Sequence, residues 1–304
     1  MSLKHCYLRS ASMPLRFYDY YKDIQNQKPF SFREKLRGYT LDALSMCNKI
    51  RGIEHQLVSP RVQFIYIHHI FKDEEKKFEL LIERLAKHHF FIDYASAVEK
   101  ILEGKIDRPY ISLSFDDGFK NNMNAAAILE RYGIKACFFI NPSIIATTSF
   151  TEIELFCKEK LETVPIEFLN WEDVALLQKQ GHEIGSHTME HTNVANFDKN
   201  AFEEDCFHSF EILNKHCGSV KHFSFPYGRF YHFNEIAAQS VFNAGYYSCA
   251  TAERGCHINP EKPLNHTQLC IRRDHVIVDW NPNHIFYFLS RNVVKANSDN
   301  NLFP

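Results

Sequence analysis

The sequence predicts a single distorted (β/α) barrel of roughly seven to eight strands, preceded by an N-terminal extension. Three observations carry this. From Arg61 onward short apolar runs alternate with amphipathic stretches. About eight such runs fit into roughly 230 residues, which favours a closed or nearly closed barrel over an open sheet. Gly133, Gly181 and Gly245 stand where the intervening helices should end, supplying the positive φ of a C-terminal cap.

In chain order, Val62 to His68 reads as the first strand, and Glu74 to Lys87 carries Phe78, Leu81 and Leu85 at helical spacing. Strands are predicted at Phe90 to Asp93, Tyr110 to Phe115, Lys135 to Ile140, His182 to Ser186, His222 to Phe225, Tyr246 to Ala250 and Leu269 to Arg272. Helices are expected between them, at Ala95 to Glu103, Asn121 to Tyr132, Trp171 to Gln180, Lys199 to His216 and Asn234 to Ala244. Thr147 to Asn170 breaks the rhythm and reads as an insertion with its own short helix, a candidate lid. The barrel is assigned to residues 61–295. Residues 1–60, polar with aromatics and Pro14, Pro29 and Pro60, form an arm or small helical subdomain, and 296–304 is a tail polar enough to fray.

Composition narrows the function. Lys+Arg 35 against Asp+Glu 37 leaves a net charge of -2, which gives no electrostatic reason to expect nucleic acid or an anionic membrane as partner. No apolar run approaches the roughly 18 residues of a membrane span; the densest, Ile285 to Leu289, is far shorter. The first residues show no apolar core of a secretory signal, so a cytoplasmic location is expected. Nine cysteines, an odd number without a Cys-x-x-Cys pair, suit reduced thiols. The 17 histidines are the unusual feature, because imidazole is the commonest metal ligand and acid/base group near neutral pH.

Three strand-end segments carry chemistry. Ser114-Phe115-Asp116-Asp117-Gly118 places adjacent carboxylates at the end of a strand, where barrel enzymes keep their catalytic groups. Adjacent carboxylates raise each other's pKa unless a cation neutralises one, so the pair makes sense if one binds metal and the other stays free as a base. Alone, Asp-Asp-Gly is also common turn chemistry. Gly185-Ser186-His187-Thr188-Met189-Glu190-His191 sets two imidazoles four residues apart, within reach of one ion. Phe223-Ser224-Phe225-Pro226-Tyr227-Gly228 ends a strand in a rigid turn that can expose backbone N–H groups to an oxyanion.

In this order the three segments resemble the motifs of the polysaccharide deacetylase (NodB-homology) family, carbohydrate esterase family four, from about Gln63 to Val293. The resemblance implies Asp117, His187 and His191 as metal ligands, Asp116 as general base, and the backbone N–H of Tyr227 as an oxyanion donor. It implies a divalent ion, zinc first and cobalt, nickel or iron as alternatives, and an N-acetylated glycan or sugar precursor as substrate. Two departures stand out. Ser224 occupies the place where many members carry an Arg before Pro-Tyr-Gly, and Arg273 resembles an Arg on a late strand in another branch that takes the same task. The late Leu-x-x-His motif of the general acid is missing; His275 and His284 lie in that region without its pattern. His68 resembles the Tyr-His ending of the first strand in the branch acting on exopolysaccharides and is a candidate for the pocket. Asp279-Trp280 with Ile285, Phe286 and Leu289 looks like that branch's closing helix, with Trp280 in the core.

Two other readings compete. His187-Thr188-Met189-Glu190-His191 matches the inverted zinc-peptidase string, which needs a long helix; Gly181, Gly185 and Ser186 before it argue for a strand-to-loop position. The other is a carbohydrate-binding barrel that has lost activity, against which both aspartates and both histidines speak.

Overall fold

Strands form where apolar and aromatic residues run without interruption, and here the runs are buried on both sides, as parallel strands sheathed in helices require. A computed structural model describes residues 16–26, 31–196, 198–232 and 235–304. Pro14, Pro29 and Asn234, named above, lie outside them. The strands are β1 (Arg61–Ile67), β2 (Phe90–Phe91), β3 (Pro109–Phe115), β4 (Ala136–Ile140), β5 (Glu183–Ser186), β6 (His222–Ser224), β7 (Ser248–Ala250), β8 (Cys270–Ile271) and β9 (Arg273–His275). The helices are α1 (Tyr21–Gln25), α2 (Phe32–Ile50), α3 (Glu75–Ala86), α4 (Tyr94–Leu102), α5 (Asn122–Arg131), α6 (Phe150–Glu159), α7 (Trp171–Lys179), α8 (Lys199–Cys217), α9 (Glu235–Asn243) and α10 (Pro282–Val294).

All strand pairs are parallel, in the order β8-β7-β6-β5-β4-β3-β1-β9. β8 pairs with β7 and β9 with β1, and only Arg272 separates them. One kinked final strand thus joins the last strand to the first, which makes the nearly closed barrel the sequence predicts. β2 is shorter than expected, a two-residue strand beside the lower half of β3. The final strand runs on to His275, past the predicted end at Arg272, because Arg272 interrupts it without ending it.

The alternation of side chains divides the core. Val62 and Phe64 join Cys137, Phe139, Ala250 and Ile271 in an inner cluster to which α4 adds Tyr94, Ala97, Val98 and Ile101. Ile65, Ile67, Leu113, Phe115, Phe138 and Phe223 face the helices in the main cluster. A satellite cluster joins the insertion, through Ile153, Cys157, Val164, Ile166 and Phe168, to Tyr21 and Ile24 of α1. The insertion does contain a short helix, α6, capped by Ser149. α2 lies on α10, with Asn48 Nδ2 donating to Ser290 Oγ at 2.7 Å. The tail expected to fray is docked instead: Asn301 is fully buried, its side chain contacting His257 Nδ1 at 2.9 Å and donating to the Ile258 carbonyl at 2.9 Å. Among the described residues no helix is long and apolar enough to cross a membrane.

Candidate active site

The chemistry-bearing residues converge at the C-terminal ends of β3, β5 and β6, as barrel geometry dictates, with Arg273 reaching in from the start of β9. β3 carries the Asp116 amide onto the Ile67 carbonyl at 3.0 Å, continuing the ladder by one residue. The chain then turns through Asp117 and Gly118, at φ 74° and 75°. For Asp117 this left-handed conformation is costly, and such strain clusters where side chains must be aimed. At Gly118 a Cβ would meet the Ile140 side chain at 3.2 Å, so glycine is needed for space as well as for φ.

After β5 the chain forms an irregular loop, with Thr188 at φ 64° and His191 at φ 52°. Three supports fix it. His187 N–H donates to the Ile140 carbonyl at 2.9 Å, Met189 N–H to Asp205 Oδ1 of α8 at 2.9 Å, and Ser143 Oγ to the Met189 carbonyl at 2.6 Å. Asn141 Nδ2 also donates to the His187 carbonyl and, at 3.1 Å, to that of Thr188. The peptidase string is therefore not in a helix, and Glu190 faces solvent beside Lys160 at 3.4 Å, its side chain 58% exposed.

Each histidine is oriented through its far nitrogen. His187 Nδ1 lies 2.8 Å from the Ser224 carbonyl and His191 Nδ1 3.0 Å from the Lys160 carbonyl. Donation there fixes the tautomer and leaves both Nε2 atoms free as ligands, the usual outer support of a metal-binding imidazole. These atoms stand 3.5 and 3.4 Å from Asp117 Oδ1. Ligand atoms at roughly 2.0–2.1 Å from a tetrahedral ion lie about 3.4 Å apart. Asp117 Oδ1 is buried without a hydrogen-bond partner, the kind of orphan a bound cation would satisfy. Asp117, His187 and His191 are the triad among the described residues able to hold a metal.

The electrostatics agree. Burial pushes the Asp117 carboxyl well above its usual range, and the charge of Asp116 adds to this. Burial lowers His187, and it lowers His191 well below the usual value with the help of His187. Three deprotonated groups around one point are what a cation requires; without it the aspartate charge is expensive.

Asp116 is treated differently. Burial pushes its pKa up, but Arg273 and His187 outweigh that and hold it down at about 2. Arg273, itself buried, grips it with two bonds of 2.8 Å, Nη1 to Oδ1 and Nη2 to Oδ2. Its guanidinium also donates to Ser114 Oγ at 3.2 Å, to Ser224 Oγ at 2.6 Å and to the Thr251 carbonyl at 3.0 Å, over the Tyr66 ring at 4.4 Å. Ser224 thus accepts a bond from the Arg that arrives on another strand. Arg273 reaches Asp116 because β9 pairs with β1 in the final stretch of the barrel.

His68 and His275 meet, Nδ1 to Nε2 at 3.1 Å, with Trp280 half-buried and edge-on to His275. Burial pushes His68 down to about 4, and it feels the charges of Asp116 and His187. His284 does not reach this site: it lies 2.7 Å from Asp42 of α2, so it is removed from the candidates for the acid. Its position on α10 directs it toward the N-terminal helix. Tyr227 sits at φ 61°, its ring 5.1 Å from that of His191 and its hydroxyl donating to the Lys160 carbonyl at 2.9 Å.

Sequence reading missed the supports. Asp205, Asn141 and the carbonyls of Lys160 and Ser224 belong to no motif, since a carbonyl has no sequence signature and Asp205 lies mid-helix. Lys160 also changes the role of the insertion: it holds one of the paired histidines in place.

Residues 103–248 match the sequence model of the family described as polysaccharide deacetylase. Solved structures of similar fold include IcaB from Ammonifex degensii, at 16% identity and TM-score 0.60, covering 77% of this chain and 97% of that one. Deacetylase PplD of Streptococcus pyogenes, solved with acetate, gives 15% and 0.57, covering 75% and 97%. A polysaccharide deacetylase from Bacillus cereus gives 17% and 0.59, covering 76% and 69%. No curated protein matches the chain in sequence.

Proposed function

We propose that the chain, which matches the polysaccharide deacetylase family model over residues 103–248, is a metal-dependent hydrolase removing N-linked acetyl groups from an amino sugar of a glycan. The observation that carries this is the division of labour between adjacent aspartates. Asp117 points an unpartnered oxygen at two oriented imidazoles, while Asp116 is held ionised by Arg273.

Asp117, His187 and His191 would hold the ion, zinc by donor type with cobalt, nickel or iron as alternatives. A divalent cation there supplies Lewis acidity toward the acyl oxygen and the attacking water. Asp116 takes the proton of that water; its low pKa keeps it unprotonated, and Arg273 keeps it aimed. The Tyr227 N–H donates to the oxyanion as the acyl carbon becomes tetrahedral. The C–N bond then breaks, and the amine must gain a proton to leave. The proton that Asp116 took from the water is the one available for this, and we assign His68, neutral and beside the Asp116 charge and His275, to relay it to that nitrogen. The products are acetate and the free amino sugar.

The peptidase alternative loses its helix and its base, because Glu190 is at the surface. Metal analysis of purified protein, followed by acetate release from N-acetylated oligosaccharides, tests the proposal. Stoichiometric divalent metal with acetate production is the expected result; metal-free protein that remains fully active would end it.

A further inference from the structure

A surface helix of a globular protein turns its apolar side inward, and α2 does the reverse. The face it lays on α10 is polar: Ser45 and Asn48 are buried, Ser45 Oγ donates to the Asn283 carbonyl at 3.3 Å, and Asn48 Nδ2 to Ser290 Oγ at 2.7 Å. On the opposite side Leu36, Tyr39, Met46 and Ile50 stand between 56 and 74% exposed, in line with the exposed Ala43. Single exposed apolar residues are ordinary, but four large ones in one row make a patch.

The spacing of the row decides what shape fits it. Positions 36, 39, 43, 46 and 50 alternate steps of three and four, the 3.5-residue repeat that forms the seam of a coiled coil. Such a seam takes another helix, with a large side chain of the partner packing over Ala43.

The charges decide its chemistry. Lys35 and Lys49 flank the seam, with Arg37 and Arg51 nearby. Asp42, on the same margin as the two lysines, is turned to the body of the protein, with His284 Nε2 at 2.7 Å and Asn281 Nδ2 at 3.3 Å. A hollow of about 280 Å³ lined by Asp42, Ser45, Met46, Lys49 and Asn283 leaves room for a partner side chain beside the Lys49 ammonium. A second copy fits poorly: the antiparallel pairing that sets Leu36 on Met46 and Tyr39 on Ala43 puts Lys35 opposite Lys49 and Asp42 opposite Asp42. An anionic lipid surface fits poorly too, because a chain with a net charge of -2 that concentrates these cations on one helix is acidic over the rest.

We propose that α2 is the docking surface for an acidic amphipathic helix of another protein. That helix lays an apolar seam on Leu36, Tyr39, Ala43, Met46 and Ile50 and sets carboxylates against Lys35 and Lys49. None of the metal-centre residues takes part.

The probe is a three-heptad helical peptide with Ile and Leu in its seam and Glu at both flanking positions, titrated into the full chain beside a twin with Lys at those positions. The Glu peptide should bind at least about tenfold more tightly than the Lys twin, since several flanking pairs change from attraction to repulsion. Raised salt should narrow that gap. Leu36→Glu and Met46→Glu should each weaken binding by about tenfold or more, with circular dichroism and acetate release as in wild type. Lys35→Glu combined with Lys49→Glu should reverse the preference between the two peptides. No binding of the Glu peptide, equal binding of both peptides, or binding unmoved by Leu36→Glu and Met46→Glu overturns the proposal. So does a dimer in sedimentation velocity that Met46→Glu dissociates, which would give the face to a second copy. Retention on vesicles of equal parts phosphatidylglycerol and phosphatidylcholine, abolished by Met46→Glu, would give it to a lipid surface and overturn the proposal as well.

Discussion

The barrel has two buried polar ends, and they are built on opposite principles. At the floor, Arg61 donates to Gln63 Oε1 at 2.8 Å and to the carbonyls of Leu57 and Ser59 at 2.8 and 2.9 Å, and lies 2.7 Å from His89 Nε2. His89 Nδ1 turns to the Leu85 carbonyl at 3.0 Å. Across the floor His222 spans Glu183 at 2.9 Å and Ser248 at 2.8 Å, while Glu183 also caps α4 through the Tyr94 N–H at 2.7 Å. Every one of these side chains has its partner. At the mouth, Asp117 Oδ1 has none, two imidazole nitrogens face it, and Asp117, Thr188, His191 and Tyr227 all sit at positive φ. Polar groups are buried at both ends, but among the described residues it is the mouth that turns three ligand atoms toward one another and holds them there with backbone strain. The difference separates a scaffold from a site more sharply than the count of histidines does.

The largest break in this comparison comes from the mouth. His191→Ala or His187→Ala should lower bound metal and reduce acetate release by about three orders of magnitude, as loss of several kcal/mol of Lewis-acid stabilisation requires. The floor should be untouched, and circular dichroism should show the native fold. Metal content equal to wild type would place the ion elsewhere.

The next effect concerns the link between the two principles, since Arg273 belongs to the mouth but is satisfied like the floor. Arg273→Ala leaves Asp116 buried and unpaired, at a cost of about 3–5 kcal/mol in stability. The Asp116 pKa should rise from about 2, so the acid limb of any residual activity should move to higher pH. Unchanged denaturant stability together with an unchanged acid limb would show that the bidentate pair does neither task.

The smallest effect is spread over pH and tests the satisfied histidines. Burial first, and Arg61 second, pushes His89 down to about 3. Burial likewise pushes His257 down to about 4. The unfolded chain binds protons at these sites below about pH 6.5 while the folded chain does not, so both are neutral and without penalty above that pH. Stability should therefore fall as pH drops from about 6.5 toward 4, with His89→Gln and His257→Gln each flattening the slope. Chemical denaturation at several pH values measures it; equal slopes in wild type and both variants would contradict it.

Much of this was legible in the sequence. Apolar runs marked β1 to β8 of the barrel, because strand burial on two faces leaves an unbroken signature. Asp116, Asp117, His187 and His191 stand out in the sequence because short motifs at strand ends keep their spacing along the chain, and the structure brings them together. What stayed hidden was set by tertiary approach. That the strand kinks at Arg272 and continues to pair with β1 has no local signal, yet this is what brings Arg273 to Asp116. The Lys160 and Ser224 carbonyls carry no side-chain identity at all. His284 looked eligible by its place in the chain and is directed to α2 by the helix it sits on.

The central claim is that two adjacent aspartates do separate work, one holding the ion and the other moving the proton. Asp116→Asn tests it most directly, because the amide keeps the shape of the carboxylate and removes its basicity. Metal content and acetate release should be measured on the same preparation. The account predicts a full complement of metal with turnover reduced by about 10²–10⁴-fold. Asp116→Asn protein that keeps its metal and hydrolyses N-acetylated sugars at the wild-type rate would contradict it.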